Sequence, residues 1–109
     1  MNKKIGDIDF AKSGGLVPVI VQDINSREIL TLAYANKESL ELTQKTGNSW
    51  FWSRSRNKLW MKGEESGNIQ KVKEILIDCD SDALIYLVDP SGPACHTGEK
   101  VCFHNVLEK

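Results

Sequence analysis

The hydrophobic residues of this chain fall into short runs rich in β-branched side chains, a pattern that is typical of β-strands. Two such runs, residues 16–23 and 28–35, are separated by the polar stretch INSR, so they predict an antiparallel hairpin. Asn36 is then suited to cap a helix that continues to Thr46, and Gly47 is suited to end it.

The second half of the chain predicts four more strands. Residues 49–56 and 58–63 form a hairpin that turns through Asn57, and the polar loop GEESGN follows them. Residues 69–77 fit both a helix and a strand, and their β-branched content favours the strand. The apolar run at 82–88 is typical of a strand covered on both faces. The sequence therefore predicts an α+β fold, mainly antiparallel sheet in a compact sandwich or pseudo-barrel, with one clear helix.

Length and charge limit the function classes. A chain of 109 residues with 40% hydrophobic residues predicts one domain over residues 1–109. Its net charge of -1 gives no general attraction to nucleic acid or to a membrane. The sequence shows no signal segment and no apolar run near the ~20 residues of a membrane helix, so we expect a cytoplasmic protein. A reducing compartment keeps its three cysteines as thiols.

Three carboxylates stand close together in the stretch DCDSD. If this stretch is extended, Asp78, Asp80 and Asp82 lie on one face and Cys79 lies on the other. Carboxylates that converge repel one another unless a cation compensates them, and Mg²⁺ or Ca²⁺ suits such oxygen ligands. The simpler interpretation is a solvated turn at the end of a strand.

The cysteines suggest zinc, although Cys79, Cys95 and Cys102 do not have the spacing of a zinc finger. They could equally be small buried side chains. Three thiolates and a water make an open, catalytic zinc site, whereas a closed structural site needs a fourth ligand such as His96 or His104. His96 is a candidate general base, and His104 is expected to be an ordinary surface residue.

An aromatic and basic stretch, WFWSRSRNKLWMK, allows two functional interpretations. Its aromatic and arginine side chains could stack on single-stranded nucleic acid. Alternatively, the tryptophans belong to the core, and Arg54, Arg56 and Lys62 grip the phosphates of a small substrate. The near-zero net charge favours the second interpretation. A third interpretation involves no ligand: the tryptophans belong to the core and the charged side chains are only solvated.

Three blocks in order, WSRSRNKLWMKGEESGN, DCDSDALIYLV and GPACHTGEKVCF, resemble the signature blocks of the phosphoribosyl-AMP cyclohydrolase family, which acts in the third step of histidine biosynthesis. The resemblance runs from about residue 16 to residue 104. It implies an intertwined homodimer in which Cys79 of one subunit completes a zinc site of the other. The implied ligands are Asp78, Asp80 and Asp82 for Mg²⁺, and Cys79, Cys95 and Cys102 for Zn²⁺.

The implied reaction opens the adenine ring of phosphoribosyl-AMP. Water adds at C6, His96 takes or relays a proton, and the N1–C6 bond breaks to give the phosphoribosylformimino imidazole carboxamide ribotide. Candidates for binding the phosphoribosyl ends are Ser53, Arg54, Ser55, Arg56 and Lys62. Val101 departs from the small hydroxyl residue expected before the last cysteine. We expect the preceding pyrophosphohydrolase step to belong to another polypeptide.

Two alternatives differ from this reading in testable ways. Base deamination lacks support, because the H-x-E and P-C-x-x-C patterns of zinc deaminases are absent from the sequence. A noncatalytic, zinc-stabilised module that binds RNA through WFWSRSR is the second alternative, and it would show salt-sensitive RNA affinity.

Overall fold

Two β-sheets and one α-helix are built by residues 2–109, which are the part of the chain that the computed structural model describes. In chain order the elements are β1 (Val17–Asp23), β2 (Ile29–Ala35), α1 (Lys37–Thr46), β3 (Trp50–Ser53), β4 (Lys58–Met61), β5 (Gln70–Ile77) and β6 (Leu84–Pro90). All six predicted strands and the predicted helix are confirmed, including the strand in the ambiguous segment 69–77. The sequence did not predict two short 3-10 helices, Ile5–Asp7 and Ala11–Ser13.

The larger sheet has the strand order β2-β1-β6-β5. The β1–β2 and β5–β6 pairs are antiparallel, as expected of hairpins and consecutive strands. The central pair, β1 with β6, is parallel. Because β6 runs parallel to β1, the segment after β6 lies at the same edge as the turn between β1 and β2, and the turn before β6 lies at the opposite edge. Seven residues of β6 separate these edges by about 20 Å at roughly 3.3 Å per residue.

The helix α1 begins and ends at the predicted residues. The Asn36 side chain accepts a hydrogen bond from the Ser39 N–H at 2.8 Å, and the Ser39 hydroxyl accepts one from the Asn36 N–H at 2.9 Å. Gly47 ends the helix with a φ of +78°, a conformation that glycine adopts without steric cost. Buried Thr43 then accepts a hydrogen bond from the Trp50 N–H, which fixes the start of β3 against the helix.

The core lies between the four-stranded sheet and a second layer that contains β3. Val17, Val19 and Val21 alternate along β1 and are fully buried. Tyr86 of β6 stacks on Phe51 of β3, with ring centroids 5.6 Å apart. Burial raises the pKa of Tyr86 to about 12, so its hydroxyl stays protonated. No helix within residues 2–109 is long and apolar enough to cross a membrane.

Candidate active site

The acidic segment is the turn between β5 and β6. One carboxylate oxygen of Asp78, Oδ1, accepts hydrogen bonds from the backbone N–H groups of Asp82 at 2.9 Å and Ala83 at 3.2 Å. Ser81 has a φ of +60°, in the left-handed region typical of tight turns. The extended chain assumed for the carboxylate face is therefore wrong. The carboxylates converge because the turn folds them together.

The carboxylate cluster fits a magnesium ion. Asp78, Asp80 and Asp82 each offer a ligand oxygen, and these oxygens lie within 4.8 Å of one another. Mg²⁺ and Ca²⁺ bind oxygen at about 2.0 to 2.6 Å, so oxygens on opposite sides of one ion stand roughly 4 to 5 Å apart. The ammonium of Lys12, 2.6 Å from Asp82 Oδ2, lowers the pKa of Asp82 and favours its charged form.

Two of the three cysteines meet beyond the other end of β6. The backbone N–H groups of Ala94 and Cys95 donate to the carbonyls of Lys100 and Glu99, so this segment folds back on itself. The fold-back also brings Cys102 near the Cys95 thiol, and Cys102 contributes to the lowered pKa of that thiol. The Cys102 N–H donates to the Leu30 carbonyl at 2.7 Å, which ties the segment to β2.

Polar neighbours favour the thiolate form of Cys95. The Thr97 hydroxyl donates to Cys95 Sγ at 3.0 Å, and Nε2 of His104 lies 3.8 Å from the same sulfur. The hydrogen bond from the Thr97 side chain, followed by that from its backbone N–H and by His104, lowers the pKa of Cys95 to about 6. Soft thiolates with a nearby imidazole fit zinc by their donor chemistry. His104 is exposed, as expected, but its contact with Cys95 makes it more than an ordinary surface residue, and Thr97 was missed.

Cys79 does not join this pair within one chain. It is exposed in the acidic turn, at the end of β6 opposite to Cys95 and Cys102. The sheet separates the two places by about 20 Å, whereas a zinc–sulfur bond is about 2.3 Å long. Among residues 2–109, the only metal-compatible group of three is the aspartate cluster. One copy of the chain therefore supplies two adjacent thiols, not three.

A cavity of about 340 Å³ lies beside Cys95. Three of the side chains predicted from the sequence line it, namely Arg56, Lys62 and His96, and Trp60 forms part of its wall. This cavity thus joins a thiol and an imidazole to two cationic groups, and Glu64 and Glu65 also line it. The two cations can bind an anionic group of a small molecule next to the reactive groups, while the carboxylates can accept hydrogen bonds from it.

The other predicted binding residues line adjoining grooves. Ser53 and Ser55 share a groove with Arg56 and Trp60, and the Ser53 hydroxyl accepts a hydrogen bond from the Arg56 N–H at 3.2 Å. Arg54 does not line the cavity beside Cys95. Its guanidinium lies 3.8 Å from the centre of the Tyr34 ring, a cation–π contact, and it lines a separate groove with Ser53 and Ser55. The structure therefore separates two arginines that the sequence placed together.

The loop between β4 and β5 shapes the cavity, and sequence reasoning missed its role. Gly63 has a φ of +87°, and a Cβ there would lie 2.5 Å from the backbone of Asn68 and Ile69. A Cβ on Gly92 would lie 2.3 Å from Oδ1 of Asn68. Asn68 lines the cavity. The glycines of GEESGN and DPSGP were the available signal, because close backbone approach is what requires glycine.

A small α+β fold whose cavity brings a thiol and an imidazole together with charged side chains of both signs defines a candidate enzyme for a small polar substrate. Sequence comparisons give the family. Residues 31–104 match the sequence profile of phosphoribosyl-AMP cyclohydrolase. The chain is 78% identical to the phosphoribosyl-AMP cyclohydrolase of Nitrosopumilus maritimus, over 99% of this chain and 100% of the relative. It is 76% identical to that of Cenarchaeum symbiosum, over 98% and 99%.

A third relative comes from a fused protein. The chain is 62% identical to a histidine biosynthesis bifunctional protein of Thermus thermophilus, over 85% of this chain and 44% of that protein. The chain belongs to the phosphoribosyl-AMP cyclohydrolase family, and it is a hydrolase. The predicted resemblance is confirmed, and the noncatalytic RNA-binding alternative is set aside.

Proposed function

We propose that this chain catalyses the hydrolytic opening of the N1–C6 bond in the adenine ring of phosphoribosyl-AMP, as a homodimer that uses Zn²⁺ and Mg²⁺. The observation that carries the proposal is the cavity that joins Cys95 and His96 to Arg56 and Lys62. The substrate has two phosphate-bearing ends and one reactive ring carbon. Cationic side chains and a proton carrier in one cavity meet both needs.

Arg56 and Lys62 are the proposed anchors for a phosphate. An arginine can bind two phosphate oxygens at once, and lysine adds a compact positive charge. Ser53 and Ser55 extend the same surface with hydroxyl groups. Arg54 is proposed to contribute less directly, because its guanidinium is already stacked on Tyr34.

Cys95 and Cys102 are the proposed zinc ligands of one subunit, and Cys79 of a second copy is the proposed third ligand. The separation of Cys79 from the pair supports sharing between copies, since no single chain brings all three together. When bound, such an ion lowers the pKa of its water to about 7, which supplies a nucleophile at neutral pH.

His96 is the proposed proton carrier. It is exposed at the cavity, next in sequence to Cys95. An imidazole can accept a proton from the attacking water and return it to the leaving nitrogen. Asp78, Asp80 and Asp82 are proposed to hold Mg²⁺, whose charge compensates theirs.

The test is turnover of phosphoribosyl-AMP by chelator-treated protein, before and after Zn²⁺ and Mg²⁺ are returned separately and together. We expect zinc to restore activity to the parent protein and not to Cys95→Ala. Cys95→Ala should retain its far-ultraviolet circular dichroism, which separates loss of the ligand from loss of the fold. Folded protein that carries both metals and shows no turnover would refute the proposal.

A further inference from the structure

The N-terminal segment packs against the acidic turn. The Asp9 N–H donates to the Ser81 carbonyl at 2.7 Å. The ammonium of Lys3 lies 2.6 Å from the Ser81 hydroxyl, and it also donates to the backbone carbonyl of Asp78 at 3.3 Å. Lys3 and Asp9 lie before residue 31, where the match to the family profile begins, whereas Asp78 and Ser81 lie within it. The N-terminal side of the contact is thus supplied by residues outside the segment that the profile matches.

Lys12 makes a different contact from Lys3. Lys3 binds backbone carbonyls and a hydroxyl. It therefore does not compete with a metal ion for the carboxylate oxygens. The Lys12 ammonium instead lies 2.6 Å from Oδ2 of Asp82, one of the three clustered carboxylates. Its side chain is 55% exposed and that of Asp82 is 22% exposed. An ion pair this open to water contributes little to stability, so its effect lies in the charge it brings to the cluster.

An ammonium and a divalent ion cannot share this place without cost. Both are cations drawn to the same carboxylates, and the Asp82 oxygen that Lys12 binds is less available to a second cation. A divalent ion and a lysine ammonium about 5 Å apart repel each other. In water this repulsion is enough to weaken the binding of the ion by roughly tenfold.

We propose that Lys12 is a resident counter-cation that competes with a divalent ion for the carboxylates of Asp78, Asp80 and Asp82. The inference rests on the proposed magnesium site, and it adds that Lys12 sets how tightly this site binds the ion. Without the ion, Lys12 neutralises part of the cluster. When the ion binds, Lys12 leaves Asp82, while Lys3 and Asp9 keep the segment attached to the turn. Linkage requires the reciprocal effect, so the ion must also make the Lys12 ammonium more accessible.

The experiment is calorimetric titration of the full chain with Mg²⁺, with the parent protein compared with three lysine variants. Lys12→Gln should bind Mg²⁺ about tenfold more tightly than the parent protein. Lys12→Arg keeps the charge and should match the parent. Lys58→Gln, an exposed lysine at the start of β4, removes the same charge elsewhere and should also match. Asp80→Asn tests whether the measured binding occurs at the carboxylate cluster. If it does, this variant should bind Mg²⁺ far more weakly than the parent protein.

A second readout follows the lysine itself. Amine acetylation of the parent protein, resolved by mass spectrometry, should label Lys12 faster when Mg²⁺ is present and label Lys58 at an unchanged rate. Tighter binding by Lys12→Gln with faster labelling of Lys12 supports the proposal. Equal or weaker Mg²⁺ binding by Lys12→Gln, with the Asp80-dependent site intact, overturns it and leaves the magnesium site standing. Absence of Asp80-dependent binding in both proteins overturns the magnesium site as well.

Discussion

Individual side chains of the same type have different environments in this protein. Arg54 and Arg56 stand two positions apart, and sequence reasoning gave them one role. The guanidinium of Arg54 lies over the Tyr34 ring at 3.8 Å, whereas Arg56 lines the cavity with His96. Removing each side chain therefore tests different things. Arg56→Ala removes a proposed phosphate ligand, and Arg54→Ala removes a packing contact.

We expect Arg56→Ala to raise KM for phosphoribosyl-AMP by about 10- to 100-fold, because a charge-assisted hydrogen bond contributes about 1.5 to 3 kcal/mol. Arg54→Ala should change KM by less than about threefold and lower the melting temperature slightly, since an exposed cation–π contact is worth about 0.5 to 1 kcal/mol. Steady-state kinetics of the two variants, side by side, make the measurement. Equal effects on KM would contradict the assignment of roles.

At the scale of elements, the turn between β1 and β2 is held by one buried acid. Asp23 is only 4% exposed, and its Oδ1 accepts hydrogen bonds from the N–H groups of Asn25 and Ser26. Its Oδ2 lies 3.4 Å from the ammonium of Lys100, which belongs to the segment between the two zinc-candidate cysteines. Lys100 also pairs with Glu28 of the same turn, so these ion pairs and the hydrogen bond from Cys102 to Leu30 join the hairpin to the thiol segment.

The stability of this junction should depend on pH. Burial alone would raise the pKa of Asp23, but the Asn25 and Ser26 hydrogen bonds and Lys100 outweigh it, so the pKa falls below its ordinary value of 3.8. A lowered folded-state pKa means that the stabilisation is fully present above pH 3.8 and is lost as the pH falls through the folded value. Asp23→Asn should cost about 1 to 2 kcal/mol of unfolding free energy at pH 7 and less in acid.

Urea unfolding from neutral pH to below 3 measures this difference. Asp89→Asn is the matched control, since Asp89 is exposed on the adjacent strand β6. That variant should follow the parent protein across the whole range. If the curves for Asp23→Asn and the parent protein stayed parallel down to the lowest pH, the carboxylate would have no role in acid stability.

At the scale of the whole molecule, the sheet holds the two groups of proposed metal ligands apart. Cys79 lies before β6, and Cys95 and Cys102 lie beyond its far end. A zinc site that uses all three thiols therefore needs two copies of the chain. The proposed homodimer has two such sites, each built from both subunits.

Mixing two inactive variants tests this arrangement. Cys79→Ala breaks both sites of its own dimer, and so does Cys95→Ala. A mixed dimer keeps one intact site, formed by Cys79 of one variant and by Cys95 with Cys102 of the other. After subunit exchange in an equal mixture, we expect roughly a quarter of the parent activity, because half of the dimers are mixed and each has one of two sites. If the mixture stayed inactive while mass spectrometry detected the mixed dimer, a shared site would be ruled out.

Local patterns in the sequence were sufficient for most of the fold. The hairpin of β1 and β2 follows from two β-branched runs around a polar turn, and the bounds of α1 follow from Asn36 and Gly47, because such signals act between near neighbours. The carboxylate cluster was predicted for the wrong reason, since a turn and not an extended strand brings its members together. The family followed from three motif blocks, which are linear in the chain.

Only the tertiary structure decided which distant groups meet. The parallel pairing of β1 with β6 joins strands that are far apart in the chain, and no local pattern specifies it. Strand β6 itself holds Cys79 and Cys95 at opposite ends, and its parallel pairing puts the Cys95 end beside the turn between β1 and β2. Long-range packing likewise turned Arg54 toward Tyr34, placed His104 beside Cys95, and set Lys12 against Asp82. The sequence determined which chemical groups are present and where each strand runs, whereas their grouping into sites depended on contacts between residues that the chain itself keeps far apart.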